Sequence, residues 1–587
     1  MRSVIRIAAF FVTATLGLLF FSDRGTPQTS NRDKETEFMV STGKPGRPGG
    51  RLVVSLRAEP KTLNPVTFSD TPSKLVIWRM MADLIHINRY TQQAEPALAR
   101  SWTVSPNGLL YTLKLRRGLR FSDGLPLTAD DVVFSFQVYL DEAVHAPQRD
   151  LLIVAGKPIL VKKVDAETIQ FELAAPYGPG LRLFDGFAIL PRHILEGPYR
   201  AGKLEQSWSP SSPPTEIAGA GPFKLKEYIP GQRLVLEKNP FYWKADEKGT
   251  RLPYLNELDF LFIPNEDSQV LRFQSGDIDL ISRVSAMNFS LLQSKVSTAG
   301  YLLQDAGPSL EWTFLFFNMN DLSKKNLPQI ADKQKWFSNI GFRQAISLAV
   351  DREGIVRLVY QGRATPIWSP VTPGNKQWYD QQLKRPARSL DQSRQLLRSA
   401  GFSWNSDGAL LDSSNRPVEF SIIVSSTNAE RSKISTIIQD DLRQLGMHVT
   451  VVPLESRAVL SRVLDSGDYE ACVLGLASGD ADPNADSNVW LSDGGTHLWN
   501  LHRTTPATPW EGEIDTLMRN QLIVRTFAER KKAFDRVQEL LAENQPLTFL
   551  VSPHILIGVK KDLGNFNPAV LDPVDLWNVE ELYWMSR

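Results

Sequence analysis

The sequence has one cysteine, Cys472, so no disulfide can form within the chain and burial alone must hold the fold together. It also lacks a charge of one sign. Lys and Arg number 66 against 65 Asp and Glu, and a formal charge of +1 gives no electrostatic reason to expect nucleic acid as a partner. Motifs that carry catalysis are missing too. There is no G-x-S-x-G elbow, no phosphate loop, no H-E-x-x-H and no cofactor fingerprint. His497 and His502, in HLWNLH, have no Cys or carboxylate at ligand spacing beside them. The expectation is therefore no catalytic residue, no resident metal and no cofactor. A carboxylate pair of the glycosidase kind is not excluded by counting, because Asp and Glu are plentiful.

Long apolar runs are also scarce. One occurs, Ile7 to Phe21 behind Arg2 and Arg6, and it reads as the charged start and apolar body of an export segment over 1–22. About fifteen residues is short for a bilayer span, which needs roughly 20. No A-x-A-like triplet follows, so retention of an uncleaved segment stays open beside cleavage. A lipoprotein anchor needs a Cys just after the apolar run, and Cys472 is far from it. Residues 23–48 are polar and rich in Gly, Pro and Thr, which predicts a flexible tether.

The remaining chain is of ordinary globular composition, with 42% hydrophobic residues. At 587 residues it exceeds what one core usually supports, about 250 to 300 residues, so at least two lobes are expected. Strands and helices alternate without a repeat. RLVVSL from Arg51 reads as a strand, and SKLVIWRMMADLIHIN has apolar residues at helical spacing. Thr128 is a candidate N-cap, with Asp130 and Asp131 in the first turn of the helix that follows. FRQAISLAVDREGIVRLVY from Phe342 reads as an amphipathic helix, and LDQSRQLLRSAGF from Leu390 as another that stops at Gly401. In GAGPF, from Gly219, the glycines suggest a packing turn with torsions that other residues avoid.

Five segments stand out in order along the chain: EPALARSWTVSPNG with YTLKLRRGLRFSDGLPLTADDVVFSF, then GAGPFKLKEYIPGQRLVLEKNPFYW, FRQAISLAVDREGIVRLVYQGRATP, LDQSRQLLRSAGF, and IIQDDLRQLGMHVTVV with GDYEACVLGLASGDADPNAD. Together they resemble family 5 of the solute-binding proteins, the dipeptide, oligopeptide and nickel receptors of ABC importers. In LDQSRQLLRSAGF, Ser393 and Arg394 stand where the family more often has Lys and Ala. The resemblance covers nearly everything after residue 50.

It implies an α/β, two-lobed periplasmic-binding-protein-like (type II) fold with a hinge and an inserted subdomain in the first lobe. The first lobe would take 49–307, with the insertion at 81–212. The second lobe would take 308–552, and 553–587 would return to the first. The implied function is the extracytoplasmic receptor of an ABC importer, working as a monomer with membrane permease and ATPase subunits and catalysing nothing. Its solute would be a dipeptide or oligopeptide, with oligosaccharides, metal chelates or other solutes as alternatives on the same scaffold and a cell-envelope hydrolase as the alternative outside it. Peptide-binding relatives pair the α-ammonium with a carboxylate in an acidic loop of the second lobe. The matching loop is ASGDADPNADSN, so Asp480 is the first candidate anchor and Asp482 the second. Among 14 tryptophans, Trp312, Trp368, Trp378 and Trp499, together with Trp490, are the candidates for an apolar cleft wall, each weighed against plain core packing.

Overall fold

A computed structural model describes residues 37–297, 300–323 and 325–586. The export segment and the first part of the expected tether lie outside the described residues. From Glu37 onward the tether region is laid along the first lobe. Met39–Val40 pairs in parallel with Lys244–Ala245, and Ser41 Oγ donates to Glu581 at 2.5 Å. Gly46 is what allows this packing, because a Cβ there would lie 2.6 Å from the Tyr583 ring. A polar, Gly-rich stretch fails to announce itself as a docked strand, since its partners are supplied by distant chain.

Strand Leu547–Lys560 organises the molecule. Its fourteen residues are buried except for a half-buried break at Pro553–His554 and the terminal Lys560. Leu547–Val551 pairs with the second-lobe strand Glu311–Phe317, and His554–Lys560 pairs with the first-lobe strand Tyr301–Pro308. One sheet of twelve strands therefore runs through both lobes. On the first-lobe side it continues through Leu280–Ser282, Arg51–Leu56, Glu257–Phe262, Arg233–Lys238 and Phe223–Ile229. On the second-lobe side it continues through Ala471–Ala477, Glu419–Ser425 and His448–Leu454. The chain crosses between the lobes at 308–311 and at 552–554. There Ser309 N donates to Pro553 O at 3.0 Å, and Ser552 Oγ donates to Ser309 O at 3.1 Å.

Between the first two of the first-lobe strands lies a separate four-stranded antiparallel sheet, built from Ala99–Val104, Leu110–Leu115, Thr168–Glu172 and Leu160–Lys163. Helix Ala129–Leu140 packs on it, and Thr128 and Asp131 close a capping box at its start. Gly401 follows helix Leu390–Ser399 with φ +89°, as a helix-stopping glycine should. The expected single helix from Phe342 is two, Ile340–Ala349 and Arg352–Tyr360, because Asp351 turns the chain and accepts from Gly354 N at 2.8 Å to cap the second. SKLVIWRMMADLIHIN also divides. Helix Thr71–Met80, capped by Asp70, ends at Met81, and Ile85–Ile87 is a strand. No helix of the described residues is long and apolar enough to cross a membrane.

Candidate functional site

Where the insertion, the first-lobe sheet and the second lobe meet there is a cavity of about 530 Å³. That is within the roughly 300–1,000 Å³ of small-molecule sites. Helix Thr71–Met80 presents Lys74, Trp78 and Arg79 to it. Phe68 and the C-terminal Trp577 add further apolar wall. The second lobe reaches it through Gly479–Ala485, the acidic loop after strand Ala471–Ala477. This loop is braced from below. Ser478 N donates to Leu310 O at 3.2 Å, Asn375 Nδ2 to Ala481 O at 2.8 Å, and Ser478 Oγ to Asp486 Oδ2 at 2.5 Å.

Asp480 and Asp482 have different surroundings on this loop. Asp482 is 4% exposed, and both its oxygens accept from Arg530, at 2.8 Å each, a geometry that fixes the loop to helix Phe527–Asn544. Asp480 faces the cavity with its side chain 26% exposed. Arg182, from the insertion, reaches across and places Nη1 2.5 Å from each Asp480 oxygen, while its Nη2 donates to Gln92 O at 3.2 Å. An ion pair thus joins the insertion to the second lobe at the cavity. Beside it, Asn484 Nδ2 donates to Tyr177 Oη at 3.0 Å.

A second charged group sits on the first-lobe side. Arg89 meets Asp185 with two hydrogen bonds, at 2.9 and 3.1 Å. Burial alone would raise the Asp185 carboxyl, yet Arg89 and His86 hold it below the usual range. Burial does raise Asp83, against the pull of His86. Asp83, His86 and Asp185 bring ligand-type atoms within 4.8 Å of one another. Arg89 keeps a fixed positive charge on that trio and satisfies Asp185, so the donor set fits an ion-pair cluster better than a dication.

The tryptophans proposed from the sequence are elsewhere. Trp312 is fully buried in the second-lobe core, stacked on Trp490 at 5.6 Å. Trp378 packs among Phe527, Phe534 and Arg530, and Trp499 stacks on Trp510 and donates to Glu511 at 3.0 Å. Trp368 lies against the Arg352 guanidinium at 5.3 Å. None of the four lines the cavity, and Trp78, Trp243 and Trp577 do. His497 and His502 bond to different carbonyls, Val489 O and Leu464 O, at 3.0 Å each. The GAGPF glycines do not have positive φ. They are needed because a Cβ on Gly219 or Gly221 would lie 2.1 or 2.4 Å from the Met80 backbone. Sequence reasoning missed Arg79 and Arg182, although Arg79 stands out as a charge inside an apolar run.

Comparison with known proteins agrees with this architecture. The model of the bacterial extracellular solute-binding proteins, family 5, matches residues 93–497. A probable ABC transporter-binding protein of Deinococcus radiodurans is 27% identical over 86% of this chain and 88% of its own length. The oligopeptide-binding protein AppA of Bacillus subtilis is 26% identical over 100% of this chain and 98% of its own. The solved structure of AppA with a nonapeptide superposes with a TM-score of 0.69 at 25% identity, covering 92% of this chain and 100% of that one. The ABC transporter substrate-binding protein CtaP of Listeria monocytogenes superposes with a TM-score of 0.75 at 23% identity, again over 92% and 100%. Two α/β lobes, a shared hinge strand and a cavity between them are the type II arrangement, and the chain belongs to family 5 of the bacterial extracellular solute-binding proteins.

Proposed function

We propose that the chain is the receptor of an ABC importer, which takes up short peptides outside the cytoplasm, closes its lobes on them and hands them to membrane permease and ATPase subunits without covalent chemistry. The observation that carries this reading is the cavity between the lobes, with Asp480 at its second-lobe wall. Its carboxylate is exposed to the cavity and already engages a cation, Arg182. Asp480 is the anchor for the solute's α-ammonium, and Arg182 holds the place that the ammonium takes. Asp482 braces the loop through Arg530 and is not the anchor. The nonapeptide held by the related AppA supports peptides as the solute class. A chelated metal is the weaker reading, because Arg89 sits on the one cluster of described residues that offers suitable donors.

The test is native mass spectrometry of the protein purified without refolding, followed by titration with tripeptides and their N-acetylated forms. The expected result is co-purifying peptide masses and a preference for the free ammonium. Asp480→Asn should lose roughly thirtyfold in affinity for free peptides and little for acetylated ones. Equal binding of both forms by the wild type would overturn the assignment of Asp480.

A further inference from the structure

A buried guanidinium is costly unless both its donors and its charge are met. Two guanidinium groups of the second lobe have their donors met by carbonyl and hydroxyl oxygens, with no direct ion pair. Arg343 donates Nε to Asn544 O and Gln545 O, Nη1 to Phe337 O and Nη2 to Asn544 O. Arg352 donates Nε to Phe549 O, Nη1 to Ser347 O and Nη2 to Ser347 Oγ. Around the cavity the condition is met by ion pairs instead: Arg89 with Asp185, Arg182 with Asp480, and Arg530 with Asp482.

Arg79 meets it in neither way. It lines the cavity and is 5% exposed. Nη1 donates to Leu576 O, whereas Nε has no partner. Among the described residues no carboxylate pairs with it. Burial lowers its pKa to about 10, with Glu580 and Asp575 opposing, so it keeps its charge at neutral pH. Glu580 is itself bound to Lys244 at 3.0 Å. Lys74, on the same helix, lines the cavity and likewise has no ion-pair partner among the described residues. This wall therefore presents two cations with no direct ion-pair partner among the described residues, and Trp78 of the same helix lines the cavity with them.

We infer that Arg79 is the anion anchor of the cavity: it receives a carboxylate of the bound solute, with Lys74 close by, so the receptor selects acids. If the solute is a peptide, as proposed above, the group is its free C-terminal carboxylate, held by the first lobe while the second lobe holds the ammonium. Only that last step rests on the peptide reading.

The experiment offers the whole protein equal amounts of two random tripeptide libraries, one with free C-termini and one amidated, and reads the captured species by native mass spectrometry. The wild type is expected to capture acids at least tenfold over amides. Arg79→Met should capture acids roughly thirtyfold less and lose the preference, and Arg79→Lys should keep part of it. Circular dichroism checks that each variant folds. Should Arg79→Met fail to fold, the wild-type ratio and Arg79→Lys carry the test. Amides captured as well as acids, or a preference that survives Arg79→Met, would overturn the inference. If neither library binds, the peptide reading falls, and the comparison is repeated with oligosaccharides bearing a hexuronate and their neutral parents. Capture of the acid alone, lost in Arg79→Met, then supports the anchor. Equal capture of the neutral sugar, or no acid captured at all, overturns it.

Discussion

Asp486 lies on the same loop as Asp480 and accepts one hydrogen bond, from Ser478 Oγ at 2.5 Å. Burial of its carboxyl and the charge of Asp480 push its pKa up to about 6, while Ser478 opposes the shift. A raised carboxylate pKa means that the folded protein binds this proton before the unfolded chain does. Stability from this group therefore rises as pH falls from about 6 towards 4, and above 6 the charged form is a cost. Asp486→Asn keeps the acceptor for Ser478 and removes the charge. It should gain about 1–2 kcal/mol at pH 7 after allowance for solvent screening, with the gain vanishing near pH 4. Urea unfolding at the two pH values measures this, and an equal effect at both would exclude it. The tryptophans mark the limit of reading single residues. Trp312 belongs to a strand with both faces buried, so no alternation separates a wall residue from a core residue, and Trp378 and Trp499 lie in irregular segments with no period at all. That the loop of Asp480 reaches the cavity was legible because the loop is chemically distinctive. The partner of Asp480 was not, because Arg182 comes from the distant insertion and only the fold brings them together.

Helix Thr71–Met80 and the turn at Gly219–Gly221 form one element of the site, since Gly221 N donates to Met80 O at 2.8 Å and a Cβ on Gly221 would lie 2.4 Å from the Met80 carbonyl carbon. Backbone on both sides leaves no flexible atom to give way. Gly221→Ala is expected to destabilise the first lobe by on the order of 3 kcal/mol, read as a lower denaturant midpoint. Because Met80 follows Arg79, the variant should also weaken solute binding. A midpoint within error of the wild type would show that the contact yields more easily than its geometry implies. The same elements show what was legible at this scale. Capping residues such as Thr128 and Gly401 mark helix ends through local chemistry, which sequence carries directly. The break at Asp351 was hidden because apolar residues continue at helical spacing on both sides of it. The docked stretch after Glu37 was hidden because its pairing partners, Lys244–Ala245 and Glu581, are remote in the chain.

At the scale of the molecule, the chain passes between the two halves of the shared sheet at 308–311 and 552–554, and the insertion and the second lobe touch across the cavity. Their backbones come close at Gly178. Gly178 N donates to Leu522 O at 2.5 Å, and a Cβ on Gly178 would lie 2.4 Å from Gln521 O and 2.7 Å from Val524 O. Gly178 does not have positive φ, so a side chain is compatible with its own backbone. The clash exists only while the insertion rests against the second lobe. Gly178→Val should therefore leave each lobe folded but hold the cleft open, whereas a substitution inside a lobe core would lower stability first. Small-angle scattering is the direct measurement. The wild type should contract when solute is added, and Gly178→Val should keep the larger radius of gyration and bind at least tenfold more weakly, because both lobes reach the solute only when the cleft is closed. Contraction of the variant to the wild-type radius would mean that the lobes meet along a different surface when they close on solute.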